Sequence, residues 1–466
     1  MSQNTTPLDN ETAKLIRAAE AGNAKAQARL GWYYDEGEGV EVDHEKAVYW
    51  YTKAAEQNHA MAQYNLGCCY EVGTGMEIDM KKAVYWYEKA AAQNIAEALH
   101  TLGVFYDEGK GVPIDADKAF EYYRKAAELG HNASIVDLGY CYEYGIGVKS
   151  DPVRAVKLYR KAAVKGYNIA QYNLALCYND GTGCRKNLRL AVKWYTKAAE
   201  QGNATAQCNL AVCYENGDGV KQDSVQAMKW CKLAAAQDDD IALTNLGMAN
   251  MDGNGTRKNY TKAFACFSRA AELGNIKAFY KLGICYEEGL GVKRDPVKAF
   301  ECFQKAADAD YPKAVYYLGN CYYNGRGVEK DLAQAYYWHK KSAELGETTG
   351  MNDIATCDYG IEIPEREKVE WLQKAADAGD TFALCNLGVR YQLGKGVEKN
   401  EKMAMQLFRK SAKLNEPSAY YALYKCYTNG RGVRKNRQLA LKYLHKSAEL
   451  GYPKARKVLQ QMESGK

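Results

Sequence analysis

The chain has 466 residues, with 63 Lys+Arg against 57 Asp+Glu, a formal net charge of +6, and 47% hydrophobic residues. That balance belongs to a folded chain rather than a disordered one, and no run approaches the roughly 18 apolar residues of a membrane span. At this length one core gives way to several domains or to a stack of small units.

In chain order, residues 1–10 carry no packing pattern and read as a disordered N-terminus. They lack the basic and apolar regions of a secretion signal, so a cytoplasmic location is expected. Residues 11–23 read as the second half of a helix pair, a capping helix. From Ala24 the text repeats every 36 residues, with units starting at 24, 60, 96, 132, 168, 204, 240, 276 and 312. The unit at Ala60 serves as an example. Ala60, Ala62, Leu66, Gly67 and Tyr70 share one face at helical spacing. Gly73 and Gly75 end that helix, because glycine tolerates the left-handed conformation. Asp79 then caps a second helix, and the same slot holds Asp43, Asp115, Asp151, Asn187, Asp223, Asn259, Asp295, Asp331, Asn400 and Asn436. The second helix points Ala83, Trp86 or Tyr87, Ala90 and Ala91 inward. Trp50, Trp86, Trp194, Trp230, Trp338 and Trp371 share one second-helix slot and are expected to form a core ladder. In the unit at 240 the usual tyrosine is Asn250. Residues 348–380 form a degenerate unit that has lost its glycine loop and three residues; a hinge is expected there. Two regular units fill 381–452, and residues 453–466 read as a capping helix and tail.

The 15 cysteines cannot all pair. Cys69, Cys141, Cys177, Cys213, Cys285, Cys321, Cys357 and Cys426 recur at a single slot, whereas a disulfide framework needs two slots that recur together. Buried thiols in a reducing compartment are expected. Formal charge is uneven, −8 over residues 1–130 and +12 over 395–466. Such a distribution fits solubility alone; the sharper alternative is a docking end for an acidic partner or head-to-tail self-contact.

The segments "AQYNLGCCYEVGTG", "AQYNLALCYNDGTG" and "AQCNLAVCYENGDG", each followed by text like "KAVYWYEKAA", resemble Sel1-like repeats, relatives of tetratricopeptide repeats. The resemblance spans about residues 11–462. It implies an all-α, right-handed α-solenoid of about twelve repeats that acts as a non-enzymatic scaffold or adaptor. A cysteine-rich branch of similar proteins is secreted, disulfide-stapled and linked to β-lactam binding. This chain lacks the cysteine pairing of that branch, so small-molecule binding or hydrolysis is the alternative reading.

Residues with catalytic or metal-binding chemistry do not form a recognisable constellation. None of the G-x-G loops follows a predicted strand, so the dinucleotide reading fails its context test. No C-x-x-C occurs, and the six histidines include no pair at i, i+4. No metal, cofactor or catalytic residue is expected. The basic C-terminal end carries no groove-reading motif, which disfavours nucleic acid.

Partner contacts are expected where first-helix residues are not used for packing. One slot carries Tyr64, Tyr172, Tyr280, Tyr316 and Tyr421. The next carries Asn65, Asn173, Asn209, Asn245 and Asn386. An amide offers one donor and one acceptor, and so can match a peptide backbone bidentately; the alternative is that these asparagines bond locally. Related tetratricopeptide scaffolds use such an asparagine ladder. A third slot adds an apolar stripe of Trp32, Cys68, Val104, Tyr140, Leu176, Val212, Met248 and Ile284. Trp32 lies off the tryptophan ladder, where an aromatic can anchor an interface. Acidic residues near the ends of the first helices, Asp35, Glu71, Asp107, Glu143, Glu215 and Glu287, oppose the helix dipole. They are expected to cap a neighbouring loop or to meet a basic ligand. The partner is thus an extended segment of a protein or peptide.

Overall fold

A computed structural model describes residues 10–463, which divide at Gln237/Asp238 into two compact units. The described residues form 26 helices and no strand, an all-α solenoid of helix pairs. The N-terminal expectation falls on residues 1–9, which lie outside the described residues; Asn10 already opens the helix Asn10–Glu20.

Each repeat is set by its punctuation. In the unit at Ala60, helix Ala60–Val72 ends on Gly73 at φ 82°, and helix Met80–Ala91 starts on Asp79, whose carboxylate accepts from the Lys82 amide at 3.0 Å. The expected Asp/Asn slot caps the second helix in every regular repeat, with Asp43, Asp151, Asn187 and Asn436 among its members. First helices are capped one residue ahead by Asn23, His59, His131, Asn203, Asp239, Asn275, Asp380 and Glu416. The second glycine of the loop has a different task from the first. A Cβ on Gly75 would land inside the backbone of His44, and one on Gly147 inside that of Ala116, so this glycine lets a loop close on the preceding repeat.

The aromatic core ladder sits one residue beyond the expected one. The tryptophans Trp50, Trp86, Trp194, Trp230 and Trp338 are only half-buried, and Trp371 alone is buried. The next slot along the second helix forms the core: Tyr51, Tyr87, Tyr159, Tyr195, Phe267, Phe303, His339, Leu372 and Phe408 are all essentially inaccessible. The reason lies on the first helix. Most of these rings pack against the glycine of an "LG" pair, where a Cβ on Gly67 would come within 2.7 Å of Tyr87 and one on Gly139 within 2.6 Å of Tyr159. In these repeats the missing side chain lets the two helices approach closely enough to bury a whole ring, although Tyr195 is equally inaccessible in a repeat that carries Ala175 in the glycine slot.

In the first unit, a ladder of buried glutamines also fastens repeat to repeat. Gln63 donates to the Ala55 carbonyl at 3.2 Å and accepts from Gln93 at 2.8 Å. Gln27, Gln171 and Gln207 repeat the arrangement with Gln57, Gln201 and Gln237. Each bond satisfies a carbonyl near the C-terminal end of a helix, which helix geometry leaves open.

In the second unit, the degenerate repeat keeps a core of its own. Helix Thr348–Thr356 is short and has neither a side-chain N-cap nor a glycine C-cap. Its replacement loop buries Tyr359 and Ile363. The Tyr359 hydroxyl lies 2.7 Å from Nδ1 of His339, so a histidine in the aromatic slot is matched by a tyrosine from the altered loop.

Candidate functional site

The candidate surface is the outward row of first-helix slots in each unit. Its register follows from the 36-residue period. The tyrosine-slot residue of one repeat lies beside the asparagine-slot residue of the next. His100 Nε2 lies 2.9 Å from the Asp137 carboxylate, Tyr316 donates to Asp353 at 2.9 Å, and Asn386 donates to Asn352 at 2.8 Å.

In the first unit, Asn65 lies near the Tyr51 hydroxyl of the preceding repeat, and Asn209 lies near that of Tyr195. Asn173 is half-buried in the same row. Tyr64 is half-buried against Tyr87, with ring centroids 5.7 Å apart. Tyr172 lies 6.2 Å from Tyr195. Trp32 is 41% exposed and Tyr140 is 49% exposed, the latter tilted against the exposed Tyr144 with ring centroids 4.5 Å apart. Val212 is exposed in the same slot as these two, while Cys68, Val104 and Leu176 are half-buried.

In the second unit, Asn245 and Tyr421 are half-buried, Tyr421 lying between Tyr424 and Tyr452. Tyr316 stacks on His339 at 5.3 Å. Tyr280 differs from its slot-mates: it is buried among Tyr311, Tyr317 and Phe303, and offers little surface. The apolar slot continues with half-buried Met248 and Ile284.

The acidic residues at the first-helix ends have a partner the sequence did not indicate. Glu71 accepts from the Tyr87 hydroxyl at 2.6 Å, and Glu143 accepts from Tyr159 at 2.8 Å. Rather than capping a neighbouring loop, these carboxylates finish the aromatic core. The signal was present as a fixed 16-residue offset between acid and tyrosine. Burial pushes the ladder thiols up, to about 12 at Cys69, Cys141, Cys177 and Cys321 and about 11 at Cys213, Cys285 and Cys357. Such thiols stay protonated and unreactive near neutral pH. All fifteen cysteines are free.

No group of three or more His, Cys, Asp or Glu among the described residues is arranged to hold a metal ion. Among them, too, no helix is long and apolar enough to cross a membrane.

The Sel1 repeat model matches residues 24–59, 60–95, 96–131, 133–167, 168–203, 204–239, 240–275, 276–311, 312–347, 369–380, 381–416 and 417–452. The chain belongs to the Sel1 repeat family. Among solved structures, it is 32% identical to a protective antigen of uropathogenic Escherichia coli displaying an SLR fold, covering 97% of this chain and 91% of that one with a TM-score of 0.57. A Sel1 repeat protein from Oxalobacter formigenes is 31% identical over 69% of this chain and 94% of its own, with a TM-score of 0.53. No curated protein matches the chain. The degenerate repeat is matched only over its second helix, where the tryptophan and alanine slots survive. Sel1 repeats are commonly protein-interaction scaffolds and generally non-catalytic.

Proposed function

We propose that this Sel1 repeat protein is an adaptor that holds an extended segment of a partner protein along its first-helix surface. One observation carries the reading: at 36-residue intervals this surface offers half-buried amides beside exposed or half-buried aromatic and aliphatic side chains. Amides at that spacing suit a peptide backbone, and exposed rings such as Trp32 and Tyr140 suit side-chain anchoring. The fifteen free thiols favour a reducing, cytoplasmic setting and disfavour the disulfide-stapled small-molecule alternative. A second reading, head-to-tail self-association, draws on the −8 and +12 terminal charges and predicts oligomers that dissolve as salt is raised.

The test is affinity capture with the wild-type chain and with a variant carrying Asn65→Ala, Asn173→Ala, Asn209→Ala and Asn245→Ala, compared at equal helicity. A partner lost by the variant supports the surface reading. A partner retained at equal yield refutes the asparagine ladder and moves attention to Trp32 and the charged ends.

A further inference from the structure

The repeat at Ile276 breaks the acid–tyrosine pairing. Its acid is Glu287, and sixteen residues on the ladder residue is Phe303, which carries no hydroxyl. The Glu287 side chain is only 7% exposed. Its Oε1 accepts from Arg326 at 2.7 Å, with Arg294 further off at 3.9 Å. Its Oε2 is buried and makes no hydrogen bond. Beside it opens a cavity of about 240 Å³ between first helices Ile276–Glu288 and Pro312–Asn324. Phe303, Tyr317 and Cys321 give this cavity apolar walls, and Glu288, Asn320 and Asn324 give it polar ones.

We propose that this cavity takes the side chain of a lysine from the bound partner segment, its ammonium on Glu287 Oε2. The proposal rests on the adaptor reading above and assigns one anchor within it. The lining carries Glu287 and Glu288 against Arg326, and Arg294 lies 3.9 Å from Glu287, so the charges balance; a hydrogen-bond donor is favoured over an anion because Oε2 has none. A four-carbon stem lies along the half-buried Tyr317 ring while its charged head reaches the carboxylate. The choice of ammonium over guanidinium follows from geometry. Arginine pairs best with both oxygens of one carboxylate, and Oε1 is already held by Arg326. A compact ammonium has three donors for Oε2 and the amide oxygens of Asn320 and Asn324. In the repeats at Ala60 and Asn132 the tyrosine hydroxyl fills the equivalent place, so those repeats have no such subsite.

The experiment titrates Nα-acetyl-lysine-N-methylamide into the full chain and follows the ligand by saturation-transfer NMR. The variants are Phe303→Tyr, which returns a hydroxyl to Glu287 as Tyr159 supplies one to Glu143, and Glu287→Gln. Circular dichroism checks their folding. The expected result is saturable binding to wild type, weakened at least tenfold in both variants, with no binding of the norleucine or Nε-acetyl-lysine analogues. Equal binding to wild type and Phe303→Tyr overturns the proposal, as does an arginine analogue binding as tightly as lysine. The probe needs no partner, so a failure here leaves the asparagine-ladder result standing on its own.

Discussion

Replacing Arg326 with alanine leaves the Glu287 carboxylate without its close partner. Removing one member of a fully buried ion pair costs about 3–5 kcal/mol, whereas an exposed pair is worth about 0–1 kcal/mol. This pair lies between those limits. The Glu287 side chain is 7% exposed, that of Arg326 is 52% exposed, and Arg294 remains at 3.9 Å. A loss of about 2 kcal/mol is expected. In a stack each repeat is held by its neighbours, so the loss is local. Hydrogen exchange reads it directly. Amides of helices Ile276–Glu288 and Pro296–Asp308 should exchange about 30-fold faster, while those of the distant helix Ala60–Val72 stay unchanged. Adding Phe303→Tyr should recover part of the protection, because the new hydroxyl donates to Glu287 as Tyr159 does to Glu143. Exchange within twofold of wild type in Arg326→Ala refutes the reasoning. So does a Phe303→Tyr change that deepens the loss.

Two further outcomes are expected. Burial holds His339 down at about 4, against 6.5 for a free imidazole, so the folded chain resists protonation there while the unfolded chain accepts it. Its contribution is whole above pH 6.5 and is lost as pH falls from 6.5 to 4, up to about 3 kcal/mol. Asp353 is pushed up by burial and acts in the opposite sense, so the comparison is made against His339→Phe. That variant should be less stable near neutrality, having left the Tyr359 hydroxyl unpaired, yet flatter across this window in urea titrations at stepped pH; an identical slope counts against the assignment. Helix Thr348–Thr356, without its caps, should exchange faster than Pro312–Asn324. Equal protection across residues 348–380 would remove the case for a hinge there.

Much of this architecture was legible from local chemistry. Caps such as Asp79 and Asn187, the glycine at each first-helix end and the terminal single helices follow from rules that act within a few residues. What escaped was the choice between neighbours on one helix. Trp86 and Tyr87 are adjacent, and both are large aromatics. The position of Gly67 across the interface makes room for Tyr87 in the core. The acid–tyrosine pairs escaped for a similar reason: Glu71 and Tyr87 lie on different helices, and nothing in the local pattern of either announces the other. In the candidate site, the slots of Tyr64 and Asn65 were readable from periodicity. The nearness of Asn65 to Tyr51, and the burial of Tyr280, depend on which side chains fill the adjoining repeats.

That dependence explains how a chain of near-identical sentences can acquire a specific site. Each repeat must satisfy the same pair of slots, a first-helix end residue and the core residue sixteen positions later. Glu71 with Tyr87 and Glu143 with Tyr159 satisfy each other, and Met251 opposite Phe267 poses no polar demand. Glu215 faces Cys231, a mismatch, but it is half-buried and can be served by water. At Glu287 the mismatch is buried as well, and one oxygen must find a donor from outside the pair or bear the cost of burial without one. Arg326 answers for Oε1 alone. Within the first-helix surface, specificity is thus to be sought where the pairing of slots fails under burial, rather than where a single residue looks unusual.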